Sequence, residues 1–239
     1  MRRIRVKIQD LFVEGSTKKL YLTDETEKIV IEFTDVLPPS VSSKKVVVKG
    51  KGKINLDIST YIFEYLGSYN VPTHFISRLD NRKMFAKKLG IIPFQMKVWN
   101  VATGSLVKRI GLKEGTLLET PVLELYLKNP RLKNPLINDY HAYTLGLCER
   151  SEMNAIIRIG TKVNAVLKSL FSRKRLTLAY FTLEFGRYGN QVILGDEISA
   201  DTMSIWDTPE PGKFDKKVFQ LAPENAKPVY TKIRDRLLK

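Results

Sequence analysis

The segment from residue 151 to residue 197 constrains the fold most, because a helical apolar pattern is followed directly by two strand patterns. Residues 151–175 carry apolar side chains at helical spacing, and Ser151 is the predicted N-cap. Alternating apolar residues predict strands over residues 176–185 and 191–197, joined by a turn at residues 187–190. The predicted buried stripe of the helix consists of Met153, Ile156, Ile157, Val163, Val166, Leu167, Leu170 and Phe171.

The N-terminal third of the chain begins with short strand patterns. A hairpin around residues 14–19 and a third strand over residues 28–33 are predicted from apolar runs rich in β-branched side chains. Residues 34–53 lose this periodicity and contain Pro38, Pro39 and several lysines. This composition predicts a mobile basic loop.

A helix and two more strands are predicted after this loop. Five apolar residues between Ile58 and Leu66 lie on one helical stripe. Residues 74–79 and 91–98 have strand patterns, and Trp99 continues the more polar face of the second. Strands and helices are mixed without regular βαβ alternation, so the predicted fold class is α+β, with a lobe boundary between residues 80 and 100.

Charge and cysteine content limit the kinds of partner. Forty Lys and Arg against 25 Asp and Glu give a net charge of +15, which favours phosphate-bearing partners without identifying them. Cys148 is the only cysteine, so an intrachain disulfide and a thiolate metal cluster are excluded. His74 and His141 are the only histidines, which disfavours a multi-histidine metal site. The chain has no apolar run of membrane-spanning length, and residues 1–5 mix charged and apolar side chains. We therefore expect a soluble cytoplasmic protein.

Two glycine-containing turns are candidate anion sites. Gly15 lies in a hairpin with Lys18 and Lys19, where backbone N–H groups and ammonium groups could face a phosphate. Residues 102–109 place small and hydroxyl-bearing residues before two basic ones. An ordinary surface hairpin and a capped helix start are the alternative interpretations, and neither sequence matches an established phosphate-binding motif.

Glu184 and Asp196 are candidate ligands for Mg²⁺, because they lie on adjacent predicted strands. The length of the loop between those strands decides on which face of the sheet each of the two side chains lies. An odd number of loop residues places both side chains on one face, and an even number separates them. Solvated strand charges are the alternative interpretation.

Residues 100–115, NVATGSLVKRIGLKEG, resemble the signature of the SAICAR synthetase family. That family uses ATP to join aspartate to a phosphoribosyl carboxyaminoimidazole. Other matching segments follow in the family's order along nearly the whole chain: EGSTKKLY at 14–21, LYLKN at 125–129 with Pro135 and Asn138, LEFG at 183–186, GDEIS at 195–199 with Asp201, and WD at 206–207.

The resemblance implies a two-lobed α+β fold of antiparallel sheets flanked by helices, with ATP bound in a cleft between the lobes. It assigns residues 1–90 to a β-rich lobe that covers the nucleotide, and residues 91–239 to a lobe with the magnesium and acceptor sites. ATP and Mg²⁺ are the implied cofactors, and Glu184 and Asp196 the metal ligands. The implied catalytic residues are Lys18, Glu184 and Asp196, and the implied nucleotide-binding residues are Gly15, Ser16, Lys18, Lys88 and Lys128.

The acceptor half departs from the family pattern. Two arginines that serve the substrate phosphate in the family correspond to Trp99 and Ser204 here, and a family Asp and Lys correspond to Tyr180 and Thr182. An acidic segment is replaced by residues 36–40, and a further acid by Pro130. The predicted substrate-binding residues are Trp99, Ser105, Lys108, Arg109, Tyr180, Thr182 and Ser204.

These departures lead to competing hypotheses about function. The first is an ADP-forming carboxylate–amine ligase whose acceptor acid lacks the phosphoribosyl group. The second is SAICAR synthetase itself, with Lys44, Lys45 or the 49–53 loop binding the substrate phosphate. A non-catalytic nucleotide or nucleic-acid binder and an inactive enzyme are the others, although no nucleic-acid motif is present. The expected partners are a small carboxylic acid and an amine such as aspartate, and the resemblance also implies a homodimer.

Overall fold

The strands that precede residue 88 form one five-stranded antiparallel sheet. The structure is a computed structural model and describes residues 6–210 and 212–239, so residues 1–5, the start of the predicted first lobe, lie outside it. The sheet order is β1-β2-β3-β5-β4, which confirms the predicted hairpin and third strand. The strands are β1 (Ile8–Glu14), β2 (Lys18–Thr23), β3 (Lys28–Phe33), β4 (Phe75–Arg78) and β5 (Lys83–Lys87).

A second antiparallel sheet contains the strands that begin at residue 90 or later. Its order is β12-β11-β9-β6-β7-β8, and β10 pairs with β9. Two long central strands, β6 and β9, pair along most of their length and position the polar face described below. The strands are β6 (Gly90–Val101), β7 (Leu117–Leu127), β8 (Leu136–Ile137), β9 (Leu176–Tyr188), β10 (Gln191–Gly195), β11 (Met203–Glu210) and β12 (Lys213–Asp215).

The described residues contain five α-helices, of which α1 and α4 pack directly on the sheets. The helix α4 packs on β6, β9 and β10, while α1 contacts the first sheet and α5. Buried side chains from both sheets and from α1, α3, α4 and α5 form one continuous apolar core, which is the main source of stability. The helices are α1 (Lys51–Ser68), α2 (Gly104–Ile110), α3 (Asp139–Thr144), α4 (Arg150–Arg173) and α5 (Ala226–Leu238).

Two details of the predicted helices are wrong. The N-cap of α4 is Glu149 rather than Ser151, because the Glu149 N–H donates to a carboxylate oxygen of Glu152 at 2.8 Å in a capping box. Ile157 is 42% exposed and does not belong to the buried stripe, whereas Ile159 is buried.

The predicted basic loop ends earlier than expected. Residues 51–53 form the first turn of α1, where Asp35 accepts a hydrogen bond from the Gly52 N–H at 2.9 Å. The preceding chain is partly packed, because Leu37 and Val48 are buried. The expectation of a mobile loop through residue 53 is therefore wrong for its C-terminal part.

Replacing Gly52 with alanine is expected to destabilise the protein by about 1–3 kcal/mol, because α1 lies too close to β3 for a methyl group. A Cβ at this position would lie 2.5 Å from the Phe33 carbonyl oxygen. Gly67→Ala is the matched control, since nothing lies within 4 Å of its Cβ position in the same helix. It should raise stability by about 0.5–1 kcal/mol. Thermal unfolding of both variants measures the difference, and equal behaviour would contradict the close approach.

Candidate functional site

Lys18 connects the two sheets through a partly buried ion cluster. It begins β2 in the first sheet, and its ammonium contacts the carboxylate of Asp196 and lies 3.0 Å from that of Glu197. Both acids directly follow β10 in the second sheet. Burial alone would lower the pKa of Lys18, but the charges of Asp196 and Glu197 outweigh it and raise the pKa above its ordinary value. The ammonium therefore stays charged throughout the physiological range.

The orientation of Asp196 depends on a break in the strand. The turn between β9 and β10 has two residues, and Gly195 pairs with Glu184, so a continued strand would direct Asp196 to the opposite face. Instead Asp196 has a φ of 58°, which ends the strand in a left-handed conformation. Such a conformation costs a non-glycine residue about 1–2 kcal/mol. The interactions that Asp196 makes with Lys18 offset that cost.

Glu184 and Asp196 form an electrostatically coupled pair. Burial raises the pKa of Glu184, and the negative charge of Asp196 raises it further. Lys128 lies 2.6 Å from Glu184 and opposes that increase. Burial would also raise the pKa of Asp196, but Lys18 outweighs it and the pKa is lowered. Two neighbouring carboxylates with lysines on either side can hold a divalent cation together with phosphate oxygens.

This donor set fits Mg²⁺ bound with a nucleotide. In the described part of the chain, no group of three or more His, Cys, Asp or Glu side chains is arranged to hold a metal ion. Mg²⁺ is usually bound through one or two carboxylates, with waters and substrate phosphates completing the octahedron. A pair of carboxylates is therefore sufficient for a magnesium–triphosphate site and insufficient for an all-protein cage.

The other predicted nucleotide-binding residues lie outside this cluster. Gly15 and Ser16 are exposed and line a cavity of about 440 Å³ with Lys44 and Lys45. The Gly15 N–H donates to the Lys18 carbonyl at 2.9 Å, which holds the hairpin turn. The Lys88 ammonium lies 5.0 Å from the ring centroid of Phe12 on β1.

A larger cavity of about 670 Å³ lies on the polar face of the second sheet. It brings together four of the predicted substrate-binding residues, Ser105, Tyr180, Thr182 and Ser204. Three of the positions that depart from the family pattern lie in one row, because Trp99 pairs with Tyr180 and Tyr180 pairs with Ser204 across the strands. The substitutions therefore cluster in space.

The remaining predicted substrate-binding residues do not line this cavity. Trp99 is completely buried, and its indole N–H donates to Glu124 at 2.8 Å, so it could touch a ligand only after rearrangement. The Arg109 guanidinium lies 2.5 Å from Glu124, and Lys108 is exposed on α2.

Sequence reasoning missed the buried contact between Lys51 and Asp201. These side chains form an ion pair of 2.6 Å at 1% and 3% exposure, which excludes Lys51 as a free phosphate ligand. Because Lys51 lies in a lysine-rich run, the sequence predicted a free ammonium group at this position. The only signal in the sequence was that Asp201 belongs to a segment that resembles the family.

Sequence reasoning also overlooked Lys97, which lines the cavity. Its ammonium lies 4.0 Å and 3.9 Å from the ring centroids of Trp99 and Tyr180. The alternating pattern of β6 already placed Lys97 and Trp99 on one face, so periodicity was the available signal.

Comparisons with known proteins agree with the motifs in the sequence. The family model described as SAICAR synthetase matches residues 11–237. The phosphoribosylaminoimidazole-succinocarboxamide synthase of Prosthecochloris aestuarii is 40% identical over 228 residues, covering 95% of this chain and 97% of that protein. The synthase of the same name from Clostridium perfringens is 40% identical with the same coverage.

Solved structures show the same similarity. A SAICAR synthetase in complex with ADP superposes with a TM-score of 0.87 at 36% identity, over 95% of this chain and 97% of that one. The phosphoribosylaminoimidazole-succinocarboxamide synthase of Ehrlichia chaffeensis superposes with a TM-score of 0.87 at 30% identity, over 96% and 98% of the two chains. These matches confirm the predicted α+β fold class.

Proposed function

The chain belongs to the SAICAR synthetase family, and from that premise we propose that it is an ADP-forming ligase that joins aspartate to phosphoribosyl carboxyaminoimidazole. Relatives that carry this reaction's name align over 95% of the chain. Nothing in the comparisons supports the changed acceptor expected from the substitutions. We therefore propose the family's own acceptor as the substrate.

The observation that carries this proposal is the ion cluster of Lys18, Lys128, Glu184 and Asp196. It combines two ammonium groups with two carboxylates where the two sheets meet, which suits a magnesium-bound triphosphate. Bound Mg²⁺ would offset negative charge on the phosphate oxygens. Lys18 and Lys128 would stabilise the additional charge that develops on the transferring phosphoryl group.

The reaction proceeds through an acyl phosphate. A carboxylate oxygen of the acceptor attacks the γ-phosphorus, and the bond from that phosphorus to the bridging oxygen breaks to release ADP. The aspartate amine then attacks the acyl carbon, phosphate leaves with the electrons of the C–O bond, and the nitrogen loses a proton. The hydroxyl groups of Ser105, Thr182 and Ser204 line the cavity and would orient the acceptor.

The two sheets support a division into lobes at residues 1–90 and 91–239, with the nucleotide between them.

None of the helices in residues 6–210 and 212–239 combines the length and apolar character needed to cross a membrane. The homodimer stays a prediction, which light scattering of the purified protein would test. The cytoplasmic location also stays a prediction.

The proposed function is tested by measuring ADP release with ATP, Mg²⁺, aspartate and the phosphoribosyl imidazole, with mass spectrometry of the amide product. We expect ADP and amide to form in equal amounts and only with all components present. Turnover of other carboxylic acids but not of the imidazole would favour a changed acceptor. Salt-sensitive binding to DNA or RNA without ADP release would favour a nucleic-acid binder.

A further inference from the structure

Lys97 occupies an unusual position in the larger cavity. It lies on β6, and its ammonium is held between the rings of Trp99 and Tyr180 at 4.0 Å and 3.9 Å from their centroids. Such cation–π contacts restrict the side chain but do not neutralise its charge. The rings therefore hold a positive charge at a defined point of the cavity wall.

The neighbouring carboxylate is already occupied by other donors. Glu124 lies opposite Lys97 on β7. Its oxygens accept hydrogen bonds from Arg109 at 2.5 and 2.6 Å, from the Trp99 indole at 2.8 Å and from the Tyr126 hydroxyl at 2.7 Å. Lys97 itself forms no ion pair with any residue that the structure describes. Its charge is available to a ligand.

Few other cations face this cavity. Among the described residues that line it, the basic side chains are Lys97 and Lys216, and Lys216 lies 3.0 Å from Glu114. Hydroxyl groups of Tyr180 and Ser204 lie along the same wall and can donate hydrogen bonds to an anion, whereas the Thr182 hydroxyl donates to the Thr202 carbonyl at 3.3 Å. The cavity thus presents one ammonium without an ion-pair partner among the described residues, together with neutral hydroxyl groups.

We propose that Lys97 binds the anionic group of the acceptor in this cavity and is a specificity-determining residue for that substrate. The inference rests on the proposed function, since it assumes that the acceptor occupies this cavity. Trp99 acts as a positioning residue, because it is buried and holds the ammonium without contacting the substrate anion, while Tyr180 holds the ammonium and also lines the cavity. The family's two arginines are absent from this row, and Lys97 would then supply a positive charge at a different position in the cavity.

The anion is either a phosphate ester or a carboxylate. Both groups carry oxygens that accept charge-assisted hydrogen bonds from an ammonium group. Losing one such bond reduces binding by roughly 10- to 100-fold. The two sources are distinguished by comparing the phosphoribosyl imidazole with its dephosphorylated nucleoside.

The charge on Lys97 should make acceptor binding depend on pH. Burial lowers the pKa of Lys97 to about 8, so the group is charged below that value and neutral above it. The pKa values of Tyr126 and Tyr180 are raised by burial, so these neighbours lose their protons at higher pH than Lys97 does. The charged and titratable groups around Lys97 or across the cavity are Glu124, Tyr126, Arg109, Tyr180, Glu184, Asp201 and Lys216.

The test compares Lys97→Met and Lys97→Arg with the native protein, using Lys168→Met on the exposed face of α4 as the control for a lost lysine. We expect Lys97→Met to raise the KM of the acceptor roughly 10- to 100-fold at pH 7, with a much smaller change in kcat. In the native protein KM should rise above pH 8. This rise should disappear in Lys97→Arg, whose guanidinium stays charged.

Calorimetric binding of the phosphoribosyl imidazole and its nucleoside to each variant provides a readout that does not require turnover. A Lys97→Met penalty confined to the phosphorylated compound assigns Lys97 to the phosphate, and a penalty with both compounds assigns it to the carboxylate. Unchanged KM and unchanged affinity for both compounds would overturn the inference while leaving the proposed function intact. A native protein that neither binds nor converts either compound would contradict both.

Discussion

Replacing Glu184 with glutamine is expected to lower ADP-forming turnover roughly 100- to 1000-fold, because the proposed nucleotide site loses one of two carboxylates. Glutamine keeps the size of the side chain and removes its charge. The Asp196→Asn variant should show a similar loss, since the negative charge of Asp196 acts on Glu184 and its carboxylate contacts Lys18. Both variants should also need more Mg²⁺ to reach half of their maximal rate. Steady-state kinetics over a magnesium titration measures these effects.

Two controls separate a loss of chemistry from a loss of folding. Glu119→Gln is the matched substitution on an exposed strand position, and its activity should remain that of the native protein. Thermal unfolding should show that both site variants keep a folded structure. Turnover within threefold of the native rate in Glu184→Gln and Asp196→Asn would show that the carboxylates are not part of the nucleotide site.

Replacing Lys51 with methionine is expected to destabilise the protein by about 3–5 kcal/mol, the typical cost of removing one partner of a buried ion pair. Lys51 lies 2.6 Å from Asp201, and both side chains are almost completely buried. Methionine fills much of the same volume but leaves the charge of Asp201 uncompensated. The Tyr230 hydroxyl, which also donates to Asp201, cannot neutralise that charge. Chemical denaturation of the variant measures the change in the free energy of unfolding.

A double variant tests the physical reason for this loss. Lys51→Met combined with Asp201→Asn removes both charges and keeps an acceptor for the Tyr230 hydroxyl, so it should recover a large part of the lost stability. Because Lys51 lies on α1 and Asp201 lies between β10 and β11, the pair connects the helix that covers the first sheet to the second sheet. If Lys51→Met unfolds at the same denaturant concentration as the native protein, the pair does not stabilise the fold.

The Glu184–Asp196 pair shows where reasoning from the sequence stops. Strand patterns correctly placed both residues near the same hairpin, where the number of turn residues sets the face on which each side chain lies. The observed turn has two residues, so parity alone predicts opposite faces. The left-handed conformation of Asp196 reverses that outcome, and it is maintained by contacts with Lys18, which is 178 residues away in the chain. No local pattern encodes such a contact.

The larger cavity on the second sheet shows a second limit. The departures at Trp99, Tyr180 and Ser204 were visible in the sequence, and strand register confirms that they are neighbours. The sequence did not show whether these side chains are exposed. A tryptophan on a polar strand face, for example, can line a cavity or be covered by its neighbours. Glu124 accepts its indole N–H and Tyr180 packs against its ring, so it is buried while Lys97 takes the position on the cavity wall.

The sequence by itself determined the α+β class, the family and the approximate positions of many strands and helices, because periodicity, turn residues and contiguous motifs depend on neighbours along the chain. Tertiary structure alone decided which charges meet: Lys18 with Asp196, Lys51 with Asp201, and Lys97 with two rings instead of a carboxylate. The physical reason is that the energy of a buried charge is set by everything packed around it, and those groups come from distant parts of the chain.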